Sequence, residues 1–214
     1  MQDISREFFV FIDTISYTHN LRPWLHEDVI RFISSQNHEP QWMLEHRLKS
    51  LEIFRSLGMP NWGPDLSDLD LESIYYFAQP EGANDAKSWD DVPDKIKNTF
   101  ERLGIPEAER TMLAWVGAQY DSQVVYHSLK EEIKEKGVIF EDMSIALRDH
   151  EDIVRKHFMK AVPSSDHKFA ALHGAVWSGG TFLYIPKNVE VSEPLQAYFR
   201  MNVKSGGQFE HTLI

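Results

Sequence analysis

Beyond about residue 167 the apolar spacing of this chain falls to two. In "LQAYFRMN", Leu195, Ala197, Phe199 and Met201 alternate with Gln196, Tyr198, Arg200 and Asn202, as in a strand with one buried face. "GTFLYIP", "VEV" and "QFEHTLI" are further strand-like runs, separated by the turn chemistry of "KN", "SEP" and "KSGG". Short strands at short spacing predict a β-solenoid, a sandwich or a barrel. A solenoid rung cannot bury its face alone and needs rungs stacked on it. The run that stops at Ile214 therefore reads as a solenoid cut short among its opening rungs.

The first two-thirds read mainly as helix. "EDVIRFISS" sets Val29, Ile30 and Ile33 on one face. "EPQWMLEHRLKSLEIFRSLGMP" repeats Leu44, Leu48, Leu51 and Phe54 at helical spacing, with Pro40 suited to a first helical position and Gly58 and Pro60 as stops. A long Asp-, Pro- and Gly-rich connection follows, with a short strand expected at Ile74 to Phe77. "PDKIKNTFERLG", "PEAERTMLAWVG" and "SQVVYHSLKEEIKEKG" each read as a helix, the last capped by Ser122 with Val125, Leu129 and Ile133 spaced by four. "VIF" reads as a short strand and "MSIALRDHEDIVRKHF" as two short helices, with Pro163 ending the helical part. Three regions result: residues 1–110, helical with the long connection; residues 111–166, a helical segment leading to a core; and residues 167–214, the start of the strand-rich core.

Composition narrows the function classes. A formal net charge of −11 with no basic run argues against nucleic acid or an anionic membrane as partner. The absence of cysteine removes disulfides, thiolate metal sites and a cysteine nucleophile from this chain. The apolar run Phe8 to Ile12 is preceded by Asp3 and Glu7 and closed by Asp13. It is too short and too acidic for a signal peptide or for a span of ~20 apolar residues, so a cytoplasmic protein is expected.

Gly179-Gly180 and Gly206-Gly207 lack the Lys-Ser/Thr of a phosphate loop and read as turn glycines. None of the ten histidines shows the i, i+4 pairing with glutamate of a zinc hydrolase, so His167, His173 and His211 read as surface or polar-network residues. Trp42 belongs to a helix face, while Trp62 and Trp89 are aromatic anchors for the irregular connection. Arg200 and Asn202 stand two apart on the polar face of their strand. They line either an exposed face or, in a solenoid, a polar ladder or passage.

Taken in order, the stretches "HEPQWMLEHRLKSLEIF", "MPNWGPDLSDLDLESIYY", "KSWDDVPDKIKNTFERLGIPEAER", "LAWVGAQYDSQVVYHSLKEE", "GVIFEDMSIALRDH", "KFAALHGAVWSGGTFLYIPKNVEV" and "PLQAYFRMNVKSGGQFEHTLI" closely resemble the SufB family of iron–sulfur cluster assembly scaffolds. The resemblance runs from about Glu27 to Ile214. It implies an α+β fold: an N-terminal helical region followed by the opening rungs of a right-handed parallel β-helix, truncated at 214. It also implies a non-enzymatic scaffold subunit working with SufD-like and SufC-like subunits and a cysteine desulfurase system. The ATPase and desulfurase activities would lie on those partners. The family's cluster- and sulfur-binding cysteines would lie beyond this chain, so no cofactor is expected here, although the full-length family carries an iron–sulfur cluster. Arg200 and Asn202 match the "YFRxN" positions thought to line a passage for sulfur, and no catalytic or metal residue is implied. Trp115 stands where the family commonly has glycine, His173 where Asn is frequent and His211 where Arg is frequent.

Two other readings stay open. One is a truncated β-helix interaction module that binds Suf partners without building clusters. The other is a carbohydrate-active β-helix enzyme, which needs clustered carboxylates, whereas the strand region offers only Glu190, Glu193 and Glu210.

Overall fold

The computed structural model describes residues 13–14, 16–20, 24–81, 89–102, 115–192 and 194–214. A first strand, β1 (Tyr17–Asn20), precedes helices α1 (Glu27–Gln36) and α2 (Gln41–Ser56). Val29, Ile30 and Ile33 are buried as their spacing requires, and Pro40 takes the N-cap, one residue before the position expected from sequence. β2 (Ala78–Pro80) pairs antiparallel with β1, a few residues beyond the predicted Ile74 to Phe77, while Tyr75 forms a parallel bridge to Gly206. α3 (Asp94–Arg102) buries Ile96 and Phe100.

The next segment departs from the helical reading. Residues 106–114 lie outside those described, but Trp115–Tyr120 is a strand, β3, and Gln123–Leu129 is its antiparallel partner, β4. Only the end of "SQVVYHSLKEEIKEKG" is helical, as the single turn α4 (Glu131–Lys134). Two things overrule the i, i+4 spacing of Val125, Leu129 and Ile133. Val124, Val125 and Tyr126 favour a pleated strand, and Asp121, at φ 51°, turns the chain back in a tight hairpin.

β5 (Ile139–Asp142) leads directly into α5 (Met143–Asp149), whose N-terminal amides on Ser144 and Ile145 donate to the Asp142 carboxylate. α6 (Glu151–His157) follows. The segment from Lys168 to Val176, placed by its sequence in the strand-rich core, is instead a helix, α7. It is buried almost all round, so no 3.6-residue period shows in its sequence. The His167 imidazole caps it by accepting from the Phe169 and Ala170 amides. The helical part therefore continues past Pro163 to Val176. β6 (Thr181–Tyr184) and β7 (Leu195–Arg200) complete the strands, and "VEV" forms none.

α7 packs along α2. Gly174 allows the approach: a Cβ there would stand 2.5 Å from Ser164 Oγ and 2.7 Å from Ser50 Oγ. Leu172, Ala175 and Val176 join Val29, Ile30, Ile33, Leu51, Tyr76 and Phe77 in one apolar cluster. A second gathers Met43, Met143, Leu147, Val154, Phe158, Trp177 and Phe182. A third, around Ile133, Val138 and Phe140, takes Leu195 and Ala197 from β7.

The sheets are small and open, with two, three and two strands among the described residues. Parallel pairing recurs in them. β7 runs parallel to β3 in register from Trp115↔Leu195 to Tyr120↔Arg200. Residues 209–213 run parallel to β6, alternating His211 N to Gly179 O (3.2 Å), Thr181 N to His211 O (3.2 Å), Leu213 N to Thr181 O (2.8 Å) and Leu183 N to Leu213 O (2.9 Å).

Gly180 makes this last pairing possible. Its φ is +113°, and a Cβ would stand 2.2 Å from the His211 carbonyl oxygen. Gly180→Ala is predicted to destabilise the protein by roughly 2–4 kcal/mol. Gly58→Ala, with nothing within 4 Å of the new methyl, should be near neutral. Urea unfolding of both variants checks this, and equal midpoints would contradict it.

Candidate functional site

The two sequence candidates lie at the end of β7, beside the β3–β4 hairpin turn. Asn202 is 4% exposed and Arg200 half-buried, while Phe199 is 36% exposed and Met201 45%. The alternation predicted for "LQAYFRMN" thus holds for Leu195 and Ala197, which pack on the third cluster, and reverses at the far end. Past Arg200 the chain leaves the strand and is captured by the hairpin turn, which draws Asn202 inward.

Asp121 is the captor. Its amide donates to the Arg200 carbonyl (2.7 Å). Its Oδ1 accepts from the Asn202 (2.6 Å) and Val203 (3.1 Å) amides, and its Oδ2 accepts from the Tyr17 hydroxyl (2.9 Å). Burial pushes the Asp121 carboxyl above the usual carboxylate range, while these three donors and the Arg200 guanidinium pull the other way. Asn202 in turn grips the N-terminal segment. Its Oδ1 accepts from the Asp13 amide (2.7 Å), and its Nδ2 donates to the Asp13 carbonyl and the Tyr17 hydroxyl (3.1 Å each). The Asp13 carboxylate accepts from Thr99 (2.7 Å), Tyr120 (3.2 Å) and Arg102 (3.3 Å). Burial raises the Tyr17 and Tyr120 hydroxyls, with Asp121 and Asp13 adding to the effect, so both stay protonated and donate. Gln119, buried on β3, donates to the Asp121 carbonyl (2.8 Å) and accepts from the Gly180 amide (2.9 Å), joining the hairpin to the start of β6.

Sequence reasoning singled out Arg200 and Asn202 but missed Asp13, Tyr17, Gln119 and Asp121, which hold them. The "QYDSQVVY" stretch carried the signal: Asp-Ser between two runs rich in β-branched and aromatic residues is hairpin chemistry.

A second polar group lies away from this end. His173 on α7 and His211 in the closing extended segment place Nε2 and Nδ1 2.8 Å apart. This agrees with the polar-network reading of both residues. Burial, more than any neighbouring charge, lowers His173 to about 4 and His211 to about 3. It also lowers nearby His46 to about 4. A cleft of about 440 Å³ opens beside the pair, with Met159, His157, His167 and Glu210 in its walls. Among the described residues, no group of three His, Asp or Glu side chains could hold a metal ion. Trp42 is anchored by donating to Glu151 (2.8 Å), and Trp62, 61% exposed, stands edge-on to His167. The side chains of Trp89 and Trp115, and Glu193 altogether, lie outside those described.

The fold and these sites can be set beside known proteins. Residues 25–197 match the family model described as the SufBD protein N-terminal region. An iron–sulfur cluster assembly SufBD family protein of Staphylococcus epidermidis is 54% identical over 190 residues, which are 89% of this chain and 41% of that protein. A protein of the same description in Staphylococcus aureus (strain USA300) is 53% identical over the same shares. The chain belongs to the SufBD family. It spans about 41% of the length of these curated relatives. Among the described residues, no helix is long and apolar enough to cross a membrane.

Asp121→Ala leaves two buried amides and a tyrosine hydroxyl without their acceptor, and a loss of roughly 2–4 kcal/mol is expected. Tyr17→Phe removes one of those bonds and should cost about 1 kcal/mol. Denaturant unfolding followed by tryptophan fluorescence tests the order, and two small, equal losses would contradict it.

Proposed function

We propose that this chain is the N-terminal part of a SufB-like scaffold subunit for iron–sulfur cluster assembly. It would not be an enzyme, and it would work in the cytoplasm with SufD-like and SufC-like subunits and a cysteine desulfurase system. The observation that carries this reading is the match over residues 25–197 together with relatives at 53–54% identity whose description is iron–sulfur cluster assembly. SufB rather than SufD is favoured by the motifs quoted above. The parallel pairings of β3 with β7 and of β6 with residues 209–213 support opening rungs of a right-handed parallel β-helix.

In this proposal Arg200 and Asn202 border a passage for sulfur, and the two are not equivalent. Asn202's amide is committed to Asp13 and Tyr17, so it shapes the wall. Arg200 brings a permanent planar cation suited to a persulfide anion. With no cysteine, the chain itself holds no cluster. A second reading, an interaction module that binds Suf partners without building clusters, rests on the absence of cysteine from the chain.

Two measurements test the proposal. Anaerobic incubation of the chain with iron and sulfide, then desalting, should leave no cluster absorbance, and stoichiometric retention would contradict the cofactor reading. In a co-purified complex containing this region, Arg200→Ala should lower cluster accumulation several-fold, Arg200→Lys less, and Lys204→Ala, an exposed turn position, not at all. Normal accumulation in a well-folded Arg200→Ala complex would end the passage role.

A further inference from the structure

The cleft between α7 and the closing extended segment gathers donors that the assembly role does not use. His173 Nε2 and His211 Nδ1 face each other at 2.8 Å. Met159 lines the same cleft, with its Sδ 3.4 Å from His46 Nε2. Met159 also holds a φ of 48°, a left-handed conformation that is strained for a long side chain. Its sulfur also accepts from the Ser164 hydroxyl at 3.7 Å.

The chemistry of the set is specific. Imidazole nitrogen and thioether sulfur are borderline and soft ligands, and neither brings negative charge. Two of the three ring systems lie against Phe158, His211 at 4.3 Å and His46 at 5.2 Å between centroids, so the surroundings are apolar. The three ligands carry no negative charge of their own to offset a dication, and Glu210, a carboxylate in the cleft wall, is a hard oxygen donor that a soft ion does not require. No three-residue His, Asp or Glu group is available among the described residues to help hold one.

We propose that His173, His211 and Met159 form a binding site for a soft monovalent metal ion, Cu(I) or its analogue Ag(I), reached through the cleft. Two imidazoles on one ion at ~2.0 Å per bond need their nitrogens more than ~3 Å apart, so the rings part slightly on loading. His211 can move because residues 209–213 are hydrogen-bonded along one edge, to β6. His173 becomes a ligand at Nε2 by carrying its proton on Nδ1, so loading neither releases a proton nor changes oxidation state.

The absence of cysteine makes the test clean, because no thiolate competes for the ion. The chain is titrated anaerobically with Cu(I) against a chromophoric Cu(I) chelator. One equivalent should be retained, and affinity should fall by roughly tenfold or more in Met159→Leu and in His211→Gln. A tenfold excess of Zn(II) should not displace the ion. Failure to hold Cu(I) against the chelator would overturn the proposal. So would retention unchanged in the variants, or displacement by Zn(II). If His211→Gln loses its native circular dichroism, Met159→Leu decides alone, since it conserves volume and removes only the sulfur. The readout is metal retention, so this result stands or falls separately from the assembly role.

Discussion

A buried ion pair sets the frame on which the strands of this chain are hung. Arg47 and Glu39 have fully buried side chains and meet through two parallel bonds, Nε to Oε2 at 2.8 Å and Nη2 to Oε1 at 2.5 Å. Arg47 Nη1 donates to the Ala175 carbonyl at 3.1 Å, one of the carbonyls left over at the end of α7. The guanidinium also lies over the Trp177 ring, 4.6 Å from its centre. One cation thus fixes the approach to α2, the end of α7 and the residue after it. Removing two charges from water is costly, and only geometry this complete offsets it. The consequence is positional: the exit from α7 is held, so Ser178, Gly179 and Gly180 start β6 at a defined place. Residues 209–213 pair there.

The helical body was largely legible in the sequence, because α1, α2, α3, α5 and α6 each have one apolar face and a readable period. α7 was not, since Ala170, Ala171, Leu172, Gly174, Ala175 and Val176 are all buried and a helix buried all round has no period. The β3–β4 hairpin was misread for the opposite reason. Val125, Leu129 and Ile133 sit at helical spacing by coincidence, and the deciding residue was Asp121, whose left-handed turn is invisible to a periodicity argument. Arg47 went unnoticed although it carried a sign: it is a charged residue in line with Met43 and Leu51 on the buried stripe of α2. Its partner lies before the helix, and nothing in the spacing points there.

The candidate site shows the same division. Alternation brought Arg200 and Asn202 to attention but assigned their face by extending a strand past its end. Their actual setting comes from contacts distant in sequence, Asp13 and Tyr17 from one end of the chain and Asp121 from its middle. The family match covers residues 25–197, so Asp13 and Tyr17 before it and Asn202 after it lie outside the matched region, and Tyr17 and Asn202 meet on Asp121 within it. Family membership says what kind of protein this is, and the hydrogen bonds say which residues hold its polar end together.

The claim that one buried pair fixes the frame is tested most directly by a double-mutant cycle on Arg47 and Glu39. Arg47→Met and Glu39→Gln each leave the other partner buried without its counterpart, and each should cost roughly 3–5 kcal/mol. The double variant should cost clearly less than their sum, with a coupling of roughly 2 kcal/mol or more. Two small, additive losses would show that the pair is incidental and that apolar packing alone positions α2 and α7.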